Sequence, residues 1–211
     1  MSFALILLCT SFHGLFSQIH QNRPVFMNIT ETHQLLKAMS FAADKHRFQT
    51  RKDSAGTPYI NHPINVALTL MEVGKEYDTE LLVAAVLHDT IEDTATLPEE
   101  ILKSFGKNVL DIVMEVTDDK NLPREERKRL QVIYASKKST SAKKLKLADK
   151  ICNVTDIIHH PPGNWTIERR LDYLTWAEQV LQGLKGSNPM LEDRLAAIIR
   201  EGRAKFEVQF S

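Results

Sequence analysis

Asp78-Thr79-Glu80-Leu81-Leu82-Val83-Ala84-Ala85-Val86-Leu87-His88-Asp89-Thr90-Ile91-Glu92-Asp93 runs from an unbroken apolar stretch into four ionisable side chains. Periodicity alone does not assign Leu81 to Leu87, because a short apolar run fits a buried helix or a buried strand equally well. Asp78 and Thr79 are good caps, and Leu and Ala dominate the run, so the segment reads as a buried helix. Outward from it the same pattern recurs. Asn28-Ile29-Thr30-Glu31 has cap-like spacing, and Leu35, Leu36, Met39, Ala42, Ala43 and His46 then fall on one helical face. Arg47 to Pro63 reads as a polar loop, followed by a short helix from Ile64 to Val73 that stops at Gly74.

Val109, Ile112, Val113 and Val116 mark another amphipathic helix. Pro123 suits the first position of a charged helix reaching about Lys137, and Ser139 to Ser141 precede a helix from Ala142 to Ile158. Pro161-Pro162-Gly163 breaks the chain before a helix through Tyr173, Trp176 and Val180. Asn188-Pro189 caps a last helix, expected to end near Gly202. With no strand alternation, glycine-rich phosphate loop, heptad array or internal repeat, the expected class is all-α.

The length of 211 residues fits one domain, or one domain with a tail, and 43% hydrophobic with 26% charged residues is ordinary for a globular chain. Net charge is zero. Arg124 to Lys150 nevertheless carries ten basic residues against Glu125, Glu126 and Asp149, so this segment has a place for an anion. Cys9 and Cys152 offer no C-x-x-C pair for a thiolate zinc site and no disulfide framework. No stretch approaches the ~18 apolar residues of a membrane span. No basic-aromatic stripe marks a nucleic-acid path.

The apolar run Phe3 to Cys9 resembles the core of a secretory signal, yet no Lys or Arg precedes it and no clear small-x-small cleavage site follows. Met27 is an alternative start. Residues 1–27 are therefore expected to be a leader or extension, 28–205 the domain and 206–211 a tail. A cytoplasmic location is expected, or a secreted or organellar one if the leader acts as a signal.

The chemistry concentrates after Leu87. On a continuous helix His88 and Glu92 share a face, as do Asp89 and Asp93, and the two faces adjoin. Grouping carboxylates and an imidazole is costly unless a cation compensates them, which a divalent metal does; the plain alternative is a solvated helix end. His62, in the proline-flanked turn Tyr59-Ile60-Asn61-His62-Pro63, and Asp149, one turn before Asn153 on a helix, are further candidates. Either would otherwise be a solvated imidazole or an ordinary partner of neighbouring lysines.

His62, then His88-Asp89, then Asp149 resembles the H…HD…D signature of the HD-domain phosphohydrolases. Arg51-Lys52-Asp53, Gly56-Thr57-Pro58-Tyr59-Ile60-Asn61-His62-Pro63, His88-Asp89-Thr90-Ile91-Glu92-Asp93, Val116-Thr117-Asp118-Asp119-Lys120 and Lys146-Leu147-Ala148-Asp149-Lys150 are similar to the hydrolase domain of RelA/SpoT proteins. The match extends from about Thr30 to Leu191. It leaves no room for synthetase or regulatory domains, as in the small stand-alone SpoT homologs, including those of animals. The resemblance implies an HD-domain helical bundle holding one Mn²⁺ on His62, His88, Asp89 and Asp149. It also implies that Glu92 and Asp93 orient and activate a water, and that Arg51, Lys52 and Asn153 contact a guanine nucleotide. Arg124 and Arg169 are the better phosphate grips among the basic residues Arg124, Lys143, Lys144, Lys146 and Arg169, because a guanidinium binds phosphate bidentately.

The activity implied is hydrolysis of the 3′-pyrophosphate of guanosine tetra- or pentaphosphate to GDP or GTP and pyrophosphate. The partner is a small-molecule nucleotide, with neither nucleic acid nor membrane; the oligomeric state stays open. Two alternatives remain: the same site removing the ribose phosphate of NADPH, or a non-catalytic nucleotide sensor. Cys152 is expected to be buried and inert, and Trp165, Tyr173 and Trp176 to serve as core or pocket wall.

Overall fold

A computed structural model describes residues 29–208. Its helices are α1 (Ile29–Lys45), α2 (Asn61–Glu72), α3 (Thr79–Leu87), α4 (Thr90–Asp93), α5 (Pro98–Phe105), α6 (Lys107–Val116), α7 (Arg124–Tyr134), α8 (Thr140–His159), α9 (Ile167–Leu184) and α10 (Pro189–Val208), with a 3₁₀ turn at Ala135–Lys137. Among the described residues the only β-type pairings are the isolated bridges Thr50 with Pro58 and Asp53 with Pro162. The fold is all-α, as expected. No described helix is long and apolar enough to cross a membrane. The expected cap at Asn28 and the Phe3–Cys9 run lie outside the described residues.

The run read as a buried helix is α3, and Leu81 to Leu87 are buried without exception. Asp78 caps it as anticipated, its carboxylate accepting the Leu81 N–H at 2.8 Å. A helix apolar on every side needs neighbours on every side, and α1, α2, α6 and α8 provide them. The second central helix is α8, packed between α2, α9 and α10. It begins under Ser139, whose hydroxyl accepts the Ala142 N–H at 3.2 Å. Its buried side chains include Lys146, Asp149 and Lys150, an unusual load of charge for an interior helix. The start of α10 is tied to the end of α2, because the Asn188 side-chain amide donates to the Gly74 carbonyl at 2.9 Å.

Four local expectations need correction. First, α2 starts at Asn61, so His62 and Pro63 sit in its first turn and not in a turn preceding it. Proline is tolerated there because its missing N–H would have had no helical partner. Second, the helix of the apolar run does not continue to Glu92; it ends at Leu87, and α4 resumes at Thr90. Third, α10 passes Gly202 and reaches Val208, burying Phe206 in the core where a tail was expected. Gly202 is a point of close approach to α8, since a Cβ there would meet Ile158 Cδ1 at 2.8 Å. Fourth, α5 went unread, although Pro98 at its first turn and Glu99 and Glu100 behind it are start signals.

The packing of α10 yields a stability test. Phe206→Ala should cost about 3–5 kcal/mol in urea unfolding, the range for truncating a buried aromatic. A change near zero would mean that the chain beyond residue 205 contributes nothing to the core.

Candidate metal centre and active site

The end of α3 is where the site begins. The last carbonyls of a helix lack intrahelical partners. Here the Leu87 carbonyl accepts the Thr90 hydroxyl at 2.7 Å, and the Ala85 carbonyl lies 2.8 Å from His88 Nδ1. A carbonyl only accepts, so Nδ1 carries the hydrogen and the neutral His88 ring presents the lone pair of Nε2. That Nε2 is buried with no hydrogen-bond partner. It lies 3.2 Å from Asp89 Oδ2 and 3.8 Å from Asp149 Oδ1. His62, from the first turn of α2, brings Nε2 to 3.3 Å from Asp149 Oδ1 and 3.8 Å from Asp89 Oδ2. The four candidate ligands come from α2, the α3–α4 junction and α8, and they converge.

Lone pairs facing carboxylates repel unless positive charge lies between them. The ligand atoms of His62, His88 and Asp149 all lie within 4.8 Å of one another, and the three residues are buried. Asp89 stands beside them, with one oxygen also accepting from the Tyr59 hydroxyl at 2.6 Å. Imidazole nitrogen with carboxylate oxygen is a donor set suited to first-row divalent ions. The residues therefore fit a divalent metal. Burial opposes charging of His88, yet Asp89 and Asp149 outweigh it and lift the imidazole to about 9. Burial alone would raise both carboxyls, but His88 against Asp89, and Lys150 with His62 against Asp149, hold them well below their ordinary range. His62, dominated by burial, is pushed down. The raised His88 imidazole and the lowered carboxyls express one demand for positive charge in the cluster.

Asp149 has further support. Lys150 Nζ lies 3.0 Å from Oδ2, and Asn153 donates its amide to Oδ1 at 2.5 Å. Lys150 in turn lies 4.6 Å from the centre of the Trp176 ring, which compensates its burial through the ring face.

Glu92 and Asp93 stand in α4, one short helix beyond the cluster. Glu92 Oε2 accepts the Asp118 N–H at 2.9 Å, while Oε1 lies 3.5 Å from both Lys120 Nζ and Arg127 Nη1. Burial, with the charges of Asp118 and Asp89, raises the Glu92 carboxyl despite that hydrogen bond. Both oxygens of Asp93 have a partner, Lys120 Nζ at 2.5 Å and, at 3.0 Å, the Tyr59 hydroxyl, whose single hydrogen is shared with Asp89.

A cavity of about 1090 Å³ opens over His62, Glu92 and Asp93. Arg51, Lys52 and Asn153 line it, as do the cations Lys120, Arg124, Arg127 and Lys128. Arg51 is already engaged, donating to Asp156 at 2.6 Å and to Asn153 Oδ1 at 2.9 Å, whereas Lys52 is exposed. Arg124 and Arg169 flank the Trp165 ring, their guanidinium carbons 5.9 and 4.4 Å from its centre, and of the two only Arg124 lines the cavity.

The rest of the basic segment turns away. Lys144 pairs with Glu76 at 2.8 Å, and buried Lys146 donates to the Val116 carbonyl at 3.2 Å. Arg127 and Lys128 were missed, although their spacing from Arg124 puts all three on one face of α7. Nothing in the sequence alone singles out Tyr59 as the bridge between Asp89 and Asp93. Cys152 lines the cavity wall, and burial pushes its thiol up to about 12, in keeping with an inert side chain.

Residues 38–174 match the HD domain family. A Danio rerio protein named guanosine-3′,5′-bis(diphosphate) 3′-pyrophosphohydrolase MESH1 is 48% identical over 85% of this chain and 99% of its own length. The Xenopus tropicalis protein of the same name is 51% identical over 76% of this chain and 90% of its own. A solved structure described as a metazoan ortholog of SpoT that hydrolyzes ppGpp superimposes with a TM-score of 0.79 at 44% identity, covering 83% of this chain and 97% of that one. The helical fold, the spacing of His62, His88-Asp89 and Asp149, and these likenesses over nearly the whole of each relative agree: this chain belongs to the HD-domain family, among the MESH1-type relatives of SpoT.

Proposed function

We propose that this chain is a Mn²⁺-dependent hydrolase that removes the 3′-pyrophosphate of guanosine tetra- or pentaphosphate, leaving GDP or GTP. The observation that carries this reading is the convergence of His62, His88, Asp89 and Asp149 beneath a cavity edged by Glu92 and Asp93. The names borne by relatives that match nearly end to end supply the substrate. In this reading residues 1–27 are an extension outside the catalytic domain, and a protein starting at Met27 keeps its activity.

His62, His88, Asp89 and Asp149 would hold one ion, which when bound lowers the pKa of a coordinated water and neutralises charge on the phosphoryl oxygens. Glu92 accepts the proton of the attacking water; its raised pKa makes it a better base than an exposed carboxylate. Asp93, fixed at both oxygens, orients that water. The water adds to the phosphorus borne by the ribose 3′ oxygen and the bond to that oxygen breaks; the 3′ oxygen takes up a proton from solvent to become a hydroxyl, and pyrophosphate is released. Arg124, Arg127, Lys128 and Lys120 offset the negative charge of the phosphates. Lys52, Asn153 and the Asp156-anchored Arg51 border the nucleoside, and Arg169, outside the cavity lining, acts by holding the Trp165 ring.

Glu92→Gln should retain Mn²⁺ while kcat falls by ~10²–10⁴, the usual span of a general-base contribution. The fall in activity on acidification, which in the wild type follows the raised Glu92 carboxyl, should disappear with it. Wild-type turnover by this variant would remove Glu92 from the mechanism.

A substrate panel tests specificity. Guanosine tetraphosphate, NADPH and a generic phosphomonoester are compared by kcat/KM, with Asp89→Ala as the inactive control. Pyrophosphate release from the first is expected to dominate, whereas preferential phosphate release from NADPH would replace the substrate.

In chelator-treated protein, His88 has its ordinary value of 6.5 when unfolded and about 9 when folded. The stability it contributes is complete below pH 6.5 and is lost as pH rises through about 9. Melting temperature without metal should therefore decline over that window, and saturating Mn²⁺ should flatten the decline. A flat curve without metal would mean that His88 carries no proton there.

A further inference from the structure

We propose that Tyr59 is a positioning residue for this reaction, its hydroxyl tying Asp89 in the metal-holding cluster to Asp93 in the water-handling pair. The inference rests on the hydrolase reading above and deepens it. Tyr59 Oη lies 2.6 Å from Asp89 Oδ2 and 3.0 Å from Asp93 Oδ2. Among the described residues it is the one side chain in hydrogen-bond contact with both Asp89 and Asp93. The ring is held on several sides. His46 stacks on it at 4.8 Å with planes 25° apart, His62 meets it edge-on at 6.0 Å, and the Arg51 guanidinium carbon lies 5.5 Å from its centre.

His46 has no other evident reason to be where it is. It is a buried imidazole outside the ligand cluster, with Nδ1 2.7 Å from Gln49 Oε1. The amide nitrogen of the same Gln49 donates to the backbone carbonyl of Asp93 at 2.6 Å. The contacts form a closed circuit, from the Asp93 backbone through Gln49 and His46 to the Tyr59 ring, and from its hydroxyl back to the Asp93 side chain. The backbone completes the clamp: the Tyr59 N–H donates to the Gln49 carbonyl at 2.9 Å, and the Tyr59 carbonyl accepts the His62 N–H at 2.9 Å. One loop residue thus fixes the start of the helix that carries His62, one oxygen of Asp89 and one oxygen of Asp93.

The two carboxylates of α4 are consequently unequal. Both oxygens of Asp93 are engaged, by Lys120 and by Tyr59. Glu92 Oε1 has looser partners, with Lys120 Nζ and Arg127 Nη1 both at 3.5 Å. Tyr59 therefore acts through Asp93, keeping it as a fixed acceptor while Glu92 takes the proton. Partners that orient ligands and their neighbours are worth ~10–100-fold in metal affinity or activity.

Tyr59→Phe keeps the ring and its stacking and deletes only the bridge. In the full chain at saturating Mn²⁺, kcat should fall ~10–100-fold with KM within about twofold of wild type. The loss caused by Tyr59→Phe should be smaller in an Asp93→Asn background than in the wild type, because the share exerted through Asp93 is already gone while the contact with Asp89 remains. Wild-type kcat in Tyr59→Phe, or losses that multiply in the double variant, would overturn the proposal. Failure of the substrate reading would appear separately, as a wild type that binds Mn²⁺ by its electron paramagnetic resonance signal but turns over no nucleotide. In that event the Mn²⁺ dissociation constant decides: a rise of about tenfold or more in Tyr59→Phe supports the bridge, and an unchanged constant overturns it.

Discussion

Two carboxylates, Asp89 and Asp149, and two imidazoles, His62 and His88, are gathered at the junction of three helices with all but Asp89 buried, and the architecture answers to the charge that this creates. Burying ions is favourable only when opposite charge and hydrogen bonds replace the lost hydration. Lys150 and Asn153 are therefore set against Asp149, and Tyr59 against Asp89. The remaining negative charge raises the affinity of His88 for a proton, and is met by a divalent ion in the state we propose to be active.

The core makes such a cluster sustainable. Buried on all sides, α3 gives His88 and Asp89 a rigid base, and α8 brings Asp149 from the opposite direction. His88 and Asp89 form the break between Leu87 and Thr90, which sets them apart from Glu92 and Asp93 in α4. Above them the cavity carries a cationic wall from α7 and Lys120. In the state we propose to be active, that wall receives the polyphosphate beside Glu92, whose Oε1 lies 3.5 Å from both Lys120 and Arg127, so electrostatic attraction and proton transfer adjoin one another.

Much of this was legible in the sequence. Apolar periodicity gave the helices, because burial sets a 3.6-residue rhythm that composition cannot hide. The order of His62, His88-Asp89, Glu92-Asp93 and Asp149 led to the site, and the structure brings all six into one neighbourhood. Other features depend on partners distant in sequence. Arg51 looks like a free cation until Asp156, far along the chain, is placed beside it. Lys144 and Lys146 looked available to a substrate until Glu76 and the Val116 carbonyl claimed them. Gly202 looked like a helix end because glycine often stops helices, but a crossing of α10 over α8 needs the same absence of a side chain. The Tyr59 bridge was invisible for the same reason: its residues are spread over four segments.

The central claim is that the His62–His88–Asp89–Asp149 cluster exists to hold a cation, and a count of metal per chain tests it most directly. The full chain and its Asp149→Ala variant would be loaded with Mn²⁺, dialysed and analysed for the element. The account predicts one Mn²⁺ per wild-type chain and essentially none in a folded Asp149→Ala protein, with turnover lost alongside the metal. Equal, stoichiometric Mn²⁺ in both proteins, with turnover retained, would contradict it.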